Sequence, residues 1–213
     1  MPEVLEFLSQ WWPAILAYIV GATPFGFLAG KMKGIDIRDH GSGNIGATNV
    51  LRTLGKPIGI TVLVLDIFKG MIPVIIAKLV SEDSALHIAT AIAAILGHNY
   101  TFWLRFKGGK GIATTAGAVI PILTIPILAA AAGWGIALKI TRYVSVASIV
   151  AAIVIPVTLS IQNFISGEWD WIVFSLALFV CLLAIWKHRG NIQRLRAGKE
   201  NRFEPKSSQT ESS

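Results

Sequence analysis

Long apolar runs, separated by short polar segments, repeat along most of this chain of 213 residues. Each run has about 20 residues, which is the length of helix that crosses a hydrocarbon core roughly 30 Å thick. The pattern therefore predicts an all-α polytopic membrane protein. The predicted apolar segments cover residues 12–30, 58–80, 85–104, 112–140, 144–164 and 171–186.

The stretch 112–140 is longer than one span and is broken by Pro121 and Pro126. It can form one long tilted helix, two short helices joined near Thr124, or a re-entrant hairpin. Two crossings place almost all the lysines and arginines on one face, and such loops stay in the cytoplasm. We therefore expect a bundle of seven transmembrane helices with the N-terminus outside and the C-terminus cytoplasmic. The re-entrant hairpin, which gives the same orientation, is the second choice.

Composition narrows the class of protein. With 54% hydrophobic residues the chain is too apolar for a soluble domain of this length. The net charge of +7 lies in loops beside the membrane, so we expect contact with membrane lipids and no nucleic acid. The single cysteine, Cys181, lies in an apolar run, and we expect neither a metal nor a cofactor. Residues 1–206 should form one domain and residues 207–213 a disordered polar tail.

The first cytoplasmic segment, residues 31–57, contains a compact polar cluster. Ser42, Asn44, Thr48 and Asn49 offer hydroxyl and amide groups among three glycines. Arg52 follows, and its planar guanidinium suits a phosphate or a carboxylate. An ordinary surface loop is the alternative. The density of uncharged hydrogen-bonding residues favours a binding site.

The second segment, residues 98–111, combines His98 with a glycine-rich loop of sequence Lys107-Gly108-Gly109-Lys110-Gly111. Glycines allow backbone N–H groups to approach a phosphate, and the N-terminus of the following helix adds a partial positive charge. The two lysines supply full charges. Gly111 stands where a Walker A motif has Ser or Thr, which argues against ATP hydrolysis.

Two further groups of polar residues complete the pattern. His188 and Asn191 lie three residues apart and share a helix face in the third segment, residues 187–205. The arginines around them can bind anionic lipid headgroups, but this does not explain the histidine and the asparagine. Asp66 and Lys69 form a charged pair within a predicted span. A transport role is the alternative for this pair, and we favour a structural role by mutual neutralisation.

Together these segments resemble the acyl-phosphate-dependent glycerol-3-phosphate acyltransferases of bacterial phospholipid synthesis, over nearly the whole chain. The residues that carry the resemblance are 42–49 with Arg52, Gly97-His98, residues 106–111, His188-Arg189, Asn191-Ile192 and Glu200. Asp66 with Lys69-Gly70 also resembles the family's second span. Thr101 and Ile112 stand where the family usually has proline and often has valine, and neither difference removes a polar group.

The resemblance implies transfer of a fatty acyl group from acyl phosphate to the sn-1 hydroxyl of glycerol 3-phosphate, giving lysophosphatidic acid and phosphate. It implies a multi-pass protein of the bacterial inner membrane with its site facing the cytoplasm. Structural roles are expected for Asp66, Lys69 and Glu200. Catalytic roles are expected for Ser42, Lys110, His188 and Asn191. Substrate-binding roles are expected for Asn44, Thr48, Asn49, Arg52, His98, Lys107, Gly108, Gly109 and Gly111.

Two questions stay open from the sequence. The proton of the attacking hydroxyl can go to His188 or to the donor phosphate, and we favour the phosphate because a histidine among many cations resists protonation. The alternative function is a transporter or channel for phosphate or an organic anion. That function predicts polar residues spread through the spans and a repeated architecture, and the sequence shows neither. Besides its two substrates, we expect the soluble enzyme that makes acyl phosphate as a partner.

Overall fold

The computed structural model describes residues 2–203, with side chains from residue 9 onward. The predicted polar tail, residues 207–213, lies outside the described residues. Everything regular in the described part is helical. Its helices are α1 (Pro2–Gly21), α2 (Phe25–Met32), α3 (Ala47–Leu54), α4 (Lys56–Val80), α5 (Ser84–Asn99), α6 (Ile112–Val119), α7 (Thr124–Thr141), α8 (Val144–Ser166), α9 (Trp171–Lys187) and α10 (Arg189–Arg196), with 3-10 turns at Ile37–Asp39 and Phe102–Leu104.

Several of these helices have the length and composition of membrane spans. Between residues 2 and 203, four stretches qualify: Ser9–Met32, Lys56–Val80, Thr124–Thr141 and Val144–Ser166. The pair α9 and α10, bent by 51°, is a fifth if the two helices are counted as one span. The remaining apolar helices, α5 with 16 residues and α6 with 8, are shorter than a standard span. The prediction of an all-helical, multi-pass membrane protein is confirmed.

Two predicted spans differ from single uninterrupted helices with the predicted bounds. The first is interrupted after Gly21, because Pro24 lacks an N–H group and keeps the residue before it out of the helical conformation. Helix α5 stops at Asn99 rather than at residue 104. The hydroxyl of Thr101 donates to the carbonyl of Ala22 at 2.5 Å, which fixes the turn that follows α5 against the break after α1.

The stretch 112–140 forms two helices, α6 and α7, rather than one long helix. The break spans residues 120–123 and contains Pro121, whose carbonyl accepts a hydrogen bond from Lys78 Nζ at 2.7 Å. Helix α6 is only about 12 Å long. It packs on α4 and α5, whereas α7 packs on α8. The two halves of the predicted stretch therefore belong to different sides of the cavity described below.

Glycines allow the helices of the first side to approach closely. A Cβ at Gly70 of α4 would collide with the Thr114 carbonyl, and one at Gly117 of α6 would collide with the Ile67 carbonyl. Helices in lipid have no hydrophobic driving force for association, so such close backbone-to-backbone packing is a main source of their association. The α4–α6 contact holds the start of α6 in place, and the glycine-rich loop ends there.

Replacing Gly117 with alanine should destabilise the fold by about 1–3 kcal/mol, because the new methyl group forces α4 and α6 apart. Thermal unfolding of the detergent-solubilised protein measures the effect. Gly135→Ala is the matched control, since no atom lies within 4 Å of a Cβ at that position of α7. Equal melting temperatures for the two variants would show that the packing of α4 on α6 does not depend on this contact.

Candidate functional site

A cavity of ≈ 370 Å³ lies where the three predicted polar segments meet. One end is polar and the other is apolar. The polar end is lined by Ser42, Asn44, Thr48, Asn49, Arg52, Asp66, His98, Lys110, Gly111, Ser145, His188, Asn191 and Glu200. The apolar end is lined by residues of α4, α7, α8 and α9, among them Leu63, Ile127, Ala130, Trp134, Ala152, Ile155 and Val180. This arrangement suits a ligand with an anionic group at one end and a hydrocarbon chain at the other.

Asn49 organises the first polar segment. Its side-chain oxygen accepts from the Ser42 N–H at 2.8 Å, and its amide nitrogen lies 3.1, 3.0 and 2.9 Å from the carbonyl oxygens of Ile37, His40 and Asn44. The side chain is 1% exposed. Both ends of the amide bond to the loop backbone, which places Ser42 at the cavity wall. Asn49 itself also lines the cavity, and substrate contact at this position stays a prediction.

Arg52 lies one turn after Thr48 on α3, and both side chains line the cavity. The guanidinium donates from Nη2 to the carbonyl of Asn201 at 3.3 Å. Burial lowers the pKa of Arg52, and the nearby Glu200 carboxylate opposes this decrease. Because the ordinary arginine pKa is so high, the group remains charged at neutral pH. Arg52 therefore brings a fixed positive charge to the polar end.

A hydrogen-bonded chain connects the glycine loop to the C-terminal segment. Lys110 Nζ donates to Asn191 Oδ1. Asn191 Nδ2 donates to Glu200 Oε1 at 2.6 Å, and Ser145 Oγ donates to the same oxygen at 2.9 Å. Arg194 Nε donates to Glu200 Oε2 at 2.8 Å. The carboxylate thus fixes the asparagine that holds the lysine.

These contacts shift the ionisation of the groups that make them. Burial raises the pKa of Glu200, but the hydrogen bonds from Asn191, Ser145 and Arg194 outweigh it and leave the pKa below its ordinary value. Burial lowers the pKa of Lys110 to about 8, with Glu200 opposing the decrease and nearby arginine and lysine charges reinforcing it. Lys110 is therefore mostly charged at pH 7 and loses its charge in mildly basic solution.

His188 is neutral in this environment. Its ring is 2% exposed, and its Nδ1 lies 2.7 Å from the Ala184 carbonyl. Because a carbonyl only accepts hydrogen bonds, Nδ1 carries the proton and Nε2 carries the lone pair. Burial, followed by the charge of Lys110, lowers the pKa of His188 to about 4. The residue can accept a hydrogen bond from a ligand but is a weak base.

The glycine loop reaches the cavity only at its end. Lys110 and Gly111 line the wall, whereas Lys107 is exposed, and Gly108 and Gly109 are not among the lining residues. Gly111 has φ of +78°, a left-handed conformation that favours glycine, and it directly precedes α6. The structure therefore brings only part of the predicted phosphate-binding loop to the site.

The charged pair predicted within the second span lies beside the cavity. Lys69 Nζ is 2.7 Å from Asp66 Oδ1, and it also donates to the Thr23 carbonyl at 2.8 Å. Asp66 lines the cavity, and its Oδ1 is 3.8 Å from His98 Nδ1. The lysine therefore neutralises the aspartate and connects α4 to the break after α1.

The sequence analysis missed several polar residues of the cavity. Ser145 and Ser148 of α8 line it, and Trp134 Nε1 of α7 donates to Ser148 Oγ at 3.4 Å. Two serines three residues apart in an otherwise apolar helix share one face, and this spacing was the available signal. Among the described residues, no cluster of His, Cys, Asp or Glu has the composition of a metal site.

Fold and cavity together define a helical membrane protein whose cavity is lined by cationic and amide groups as well as by apolar residues. Comparison with known proteins identifies the family. A family model described as glycerol-3-phosphate acyltransferase matches residues 11–198. The glycerol-3-phosphate acyltransferase of Geotalea daltonii is 47% identical over 187 residues, which are 88% of this chain and 94% of the relative. The enzyme of Desulforudis audaxviator is 47% identical over 189 residues, with 88% and 92% covered.

Two crystal structures of PlsY, an integral membrane glycerol 3-phosphate acyltransferase, have the same fold. The glycerol 3-phosphate form has a TM-score of 0.84 at 41% identity and covers 92% of this chain and 96% of PlsY. The lysophosphatidic acid form has a TM-score of 0.81 with the same identity and coverage. The chain therefore belongs to the glycerol-3-phosphate acyltransferase family.

Removing the Glu200 carboxylate should destabilise the protein, since three donors then lose a charged acceptor. We expect Glu200→Ala to cost about 1–3 kcal/mol of stability and Glu200→Gln less, because the amide oxygen can still accept hydrogen bonds.

The effect should depend on pH. A carboxylate whose pKa is lowered in the folded protein stabilises the fold at pH values above its ordinary pKa, and this stabilisation is lost as the pH falls through the lowered pKa. The difference in melting temperature between the wild type and Glu200→Gln should therefore narrow as the pH falls below the ordinary glutamate pKa and through the lower pKa of Glu200. Glu168→Ala, on an exposed turn, is the control. A difference that does not change with pH would contradict the charged network.

Proposed function

We propose that this protein transfers a fatty acyl group from acyl phosphate to the sn-1 hydroxyl of glycerol 3-phosphate, giving lysophosphatidic acid and phosphate. This is the first step of phospholipid synthesis. The observation that carries the proposal is the cavity, whose cationic, amide-rich end continues into an apolar interior. The family and the two ligand forms of PlsY favour this function over a transporter or channel for anions.

The polar end has the groups that two phosphates require. Arg52 and Lys110 supply positive charges, and the N-terminus of α6 adds a smaller one beside Gly111. Ser42, Asn44 and Thr48 offer hydrogen bonds around them. The acyl chain lies among the apolar residues of α4, α7, α8 and α9. Both reacting groups are then held at the boundary between the two ends, where orientation lowers the barrier.

The donor phosphate takes the proton of the attacking hydroxyl. The hydroxyl oxygen forms a bond to the acyl carbon, the bond between that carbon and the phosphate oxygen breaks, and the phosphate leaves with the proton. His188, with a pKa of about 4, is too weak a base to hold this proton at neutral pH. Its Nε2 instead accepts a hydrogen bond from the hydroxyl and orients it. Within residues 9–203, the hydrogen bond of Ser42 is made by its backbone N–H to Asn49, and no base bonds to its hydroxyl. The reaction therefore proceeds without an acyl-enzyme.

The topology that fits this chemistry has seven crossings in the bacterial inner membrane, with the N-terminus outside and the C-terminus and site facing the cytoplasm. Asp66 lines the cavity about 15 Å along α4 from its start, so the site is recessed within the bundle. Helix α6 packs against the part of α4 that follows Asp66 and, at about 12 Å, is shorter than that part. Residues 1–206 form one domain, and the soluble enzyme that makes acyl phosphate delivers the donor to this face.

A direct assay tests the function. The purified protein in detergent is given acyl phosphate and radiolabelled glycerol 3-phosphate, with acyl-CoA as the control donor. We expect labelled lysophosphatidic acid from acyl phosphate. Product from acyl-CoA alone would overturn the choice of donor. No product from either donor would overturn the enzyme function, and uptake of labelled phosphate into vesicles would then test the transporter.

The pH dependence of kcat/KM should report the charge of Lys110. A lysine with lowered pKa is charged below that pKa, so binding of the anionic substrates weakens as the pH rises through about 8. We expect kcat/KM for glycerol 3-phosphate to fall by up to about tenfold per pH unit above that value. Lys110→Arg should have a lower kcat/KM with no such fall, because arginine keeps its charge. An identical pH profile in this variant would exclude Lys110 as the titrating group.

A further inference from the structure

The first two glycines of the loop face the end of α5 rather than the cavity. Gly109 is buried, and its N–H donates to the His98 carbonyl at 3.1 Å. Neither Gly108 nor Gly109 is among the residues that line the cavity, although Lys110 and Gly111 are. Direct contact with a phosphate therefore does not explain why residues 108 and 109 lack side chains. Packing against α5 does.

The two glycines contact different parts of one residue. A Cβ at position 109 would collide with Nε2 and the neighbouring carbons of the His98 imidazole. A Cβ at position 108 would collide with the His98 carbonyl and with the backbone of Asn99. The first obstacle is a side chain and can be removed by mutation. The second is backbone and cannot.

The imidazole of His98 has little room to move away from the loop. The residue is 4% exposed, and its Nδ1 lies 3.8 Å from Asp66 Oδ1. Asp66 is in turn fixed by Lys69, which also donates to the Thr23 carbonyl. Both partners are buried. The ring is therefore supported by this ion pair on one side and meets Gly109 on the other.

We propose that His98 is a positioning residue, whose ring is the surface on which Gly109 rests so that Lys110 reaches Asn191 and the cavity. The glycine at position 109 is then required for its steric fit to the ring, not for binding phosphate. The proposal rests on the proposed function for its activity measurement. Its steric part is independent of that function.

A double-mutant cycle tests this fit. Gly109→Ala should lower kcat/KM at least tenfold, because the methyl group moves the loop and Lys110. Combined with His98→Ala, which removes the ring, the same substitution should cost less than threefold relative to His98→Ala alone. Gly108→Ala is the matched control. Its cost should be equal with and without His98, since the backbone obstacle remains.

Melting temperatures of the same variants give a second readout that does not depend on turnover. We expect the melting temperature to fall with Gly109→Ala, to recover when His98→Ala is added, and to show no recovery for Gly108→Ala. A Gly109→Ala protein that folds only in the double mutant would support the proposal. Equal costs of Gly109→Ala in both backgrounds, or rescue of both glycine variants alike, would overturn it. Absence of turnover in the wild type would contradict the proposed function, and the melting temperatures would still decide the role of His98.

Discussion

The carboxylate of Glu200 connects parts of the chain that are distant in sequence. It accepts hydrogen bonds from Ser145 of α8 and from Asn191 and Arg194 of α10. A buried charge is tolerated only where partners compensate its loss of water, and this one has three. Because Asn191 also receives the Lys110 ammonium, the same carboxylate sets the position of the glycine loop. The positions of Asn191 and Lys110 at the polar end depend on this one charged group.

The sequence was sufficient to predict an all-helical, multi-pass membrane protein, because apolar runs of membrane length are a property of local sequence. The three polar segments that it singled out do meet at the cavity. It was not sufficient to show which of the polar side chains also hold the loop backbone. Asn49 has the same chemistry as Asn44, and only the folded loop shows that its amide is directed to backbone carbonyls. Likewise, the sequence spacing of the loop glycines is the same whether they bind an anion or pack on an imidazole. Distinguishing them requires the position of α5.

Burial lowers the pKa of both basic groups nearest Asn191, but it leaves them in different charge states at neutral pH. Lys110 has a lowered pKa but keeps most of its charge at neutral pH, which suits a group that neutralises an anion. His188 loses its charge completely, which suits a group that accepts a hydrogen bond. The charge of Lys110 itself contributes to the neutrality of His188. In the proposed reaction the proton therefore goes to the donor phosphate, which arrives with its own negative charge, rather than to the histidine.

In the proposed topology, the recessed position of the site accounts for the irregular length of the helices around it. A mixed anhydride with a long hydrocarbon chain is amphiphilic, so its phosphate must meet cations at a depth where its chain can stay among apolar residues. In this fold the loop before α6 enters the bundle to the level of Asp66 on α4. Non-helical backbone at such depth is tolerated only where protein groups satisfy it, and His98 does so by accepting the Gly109 N–H. In the proposed topology, the shortness of α6 and the packing of the loop on α5 both follow from a site that lies within the bundle.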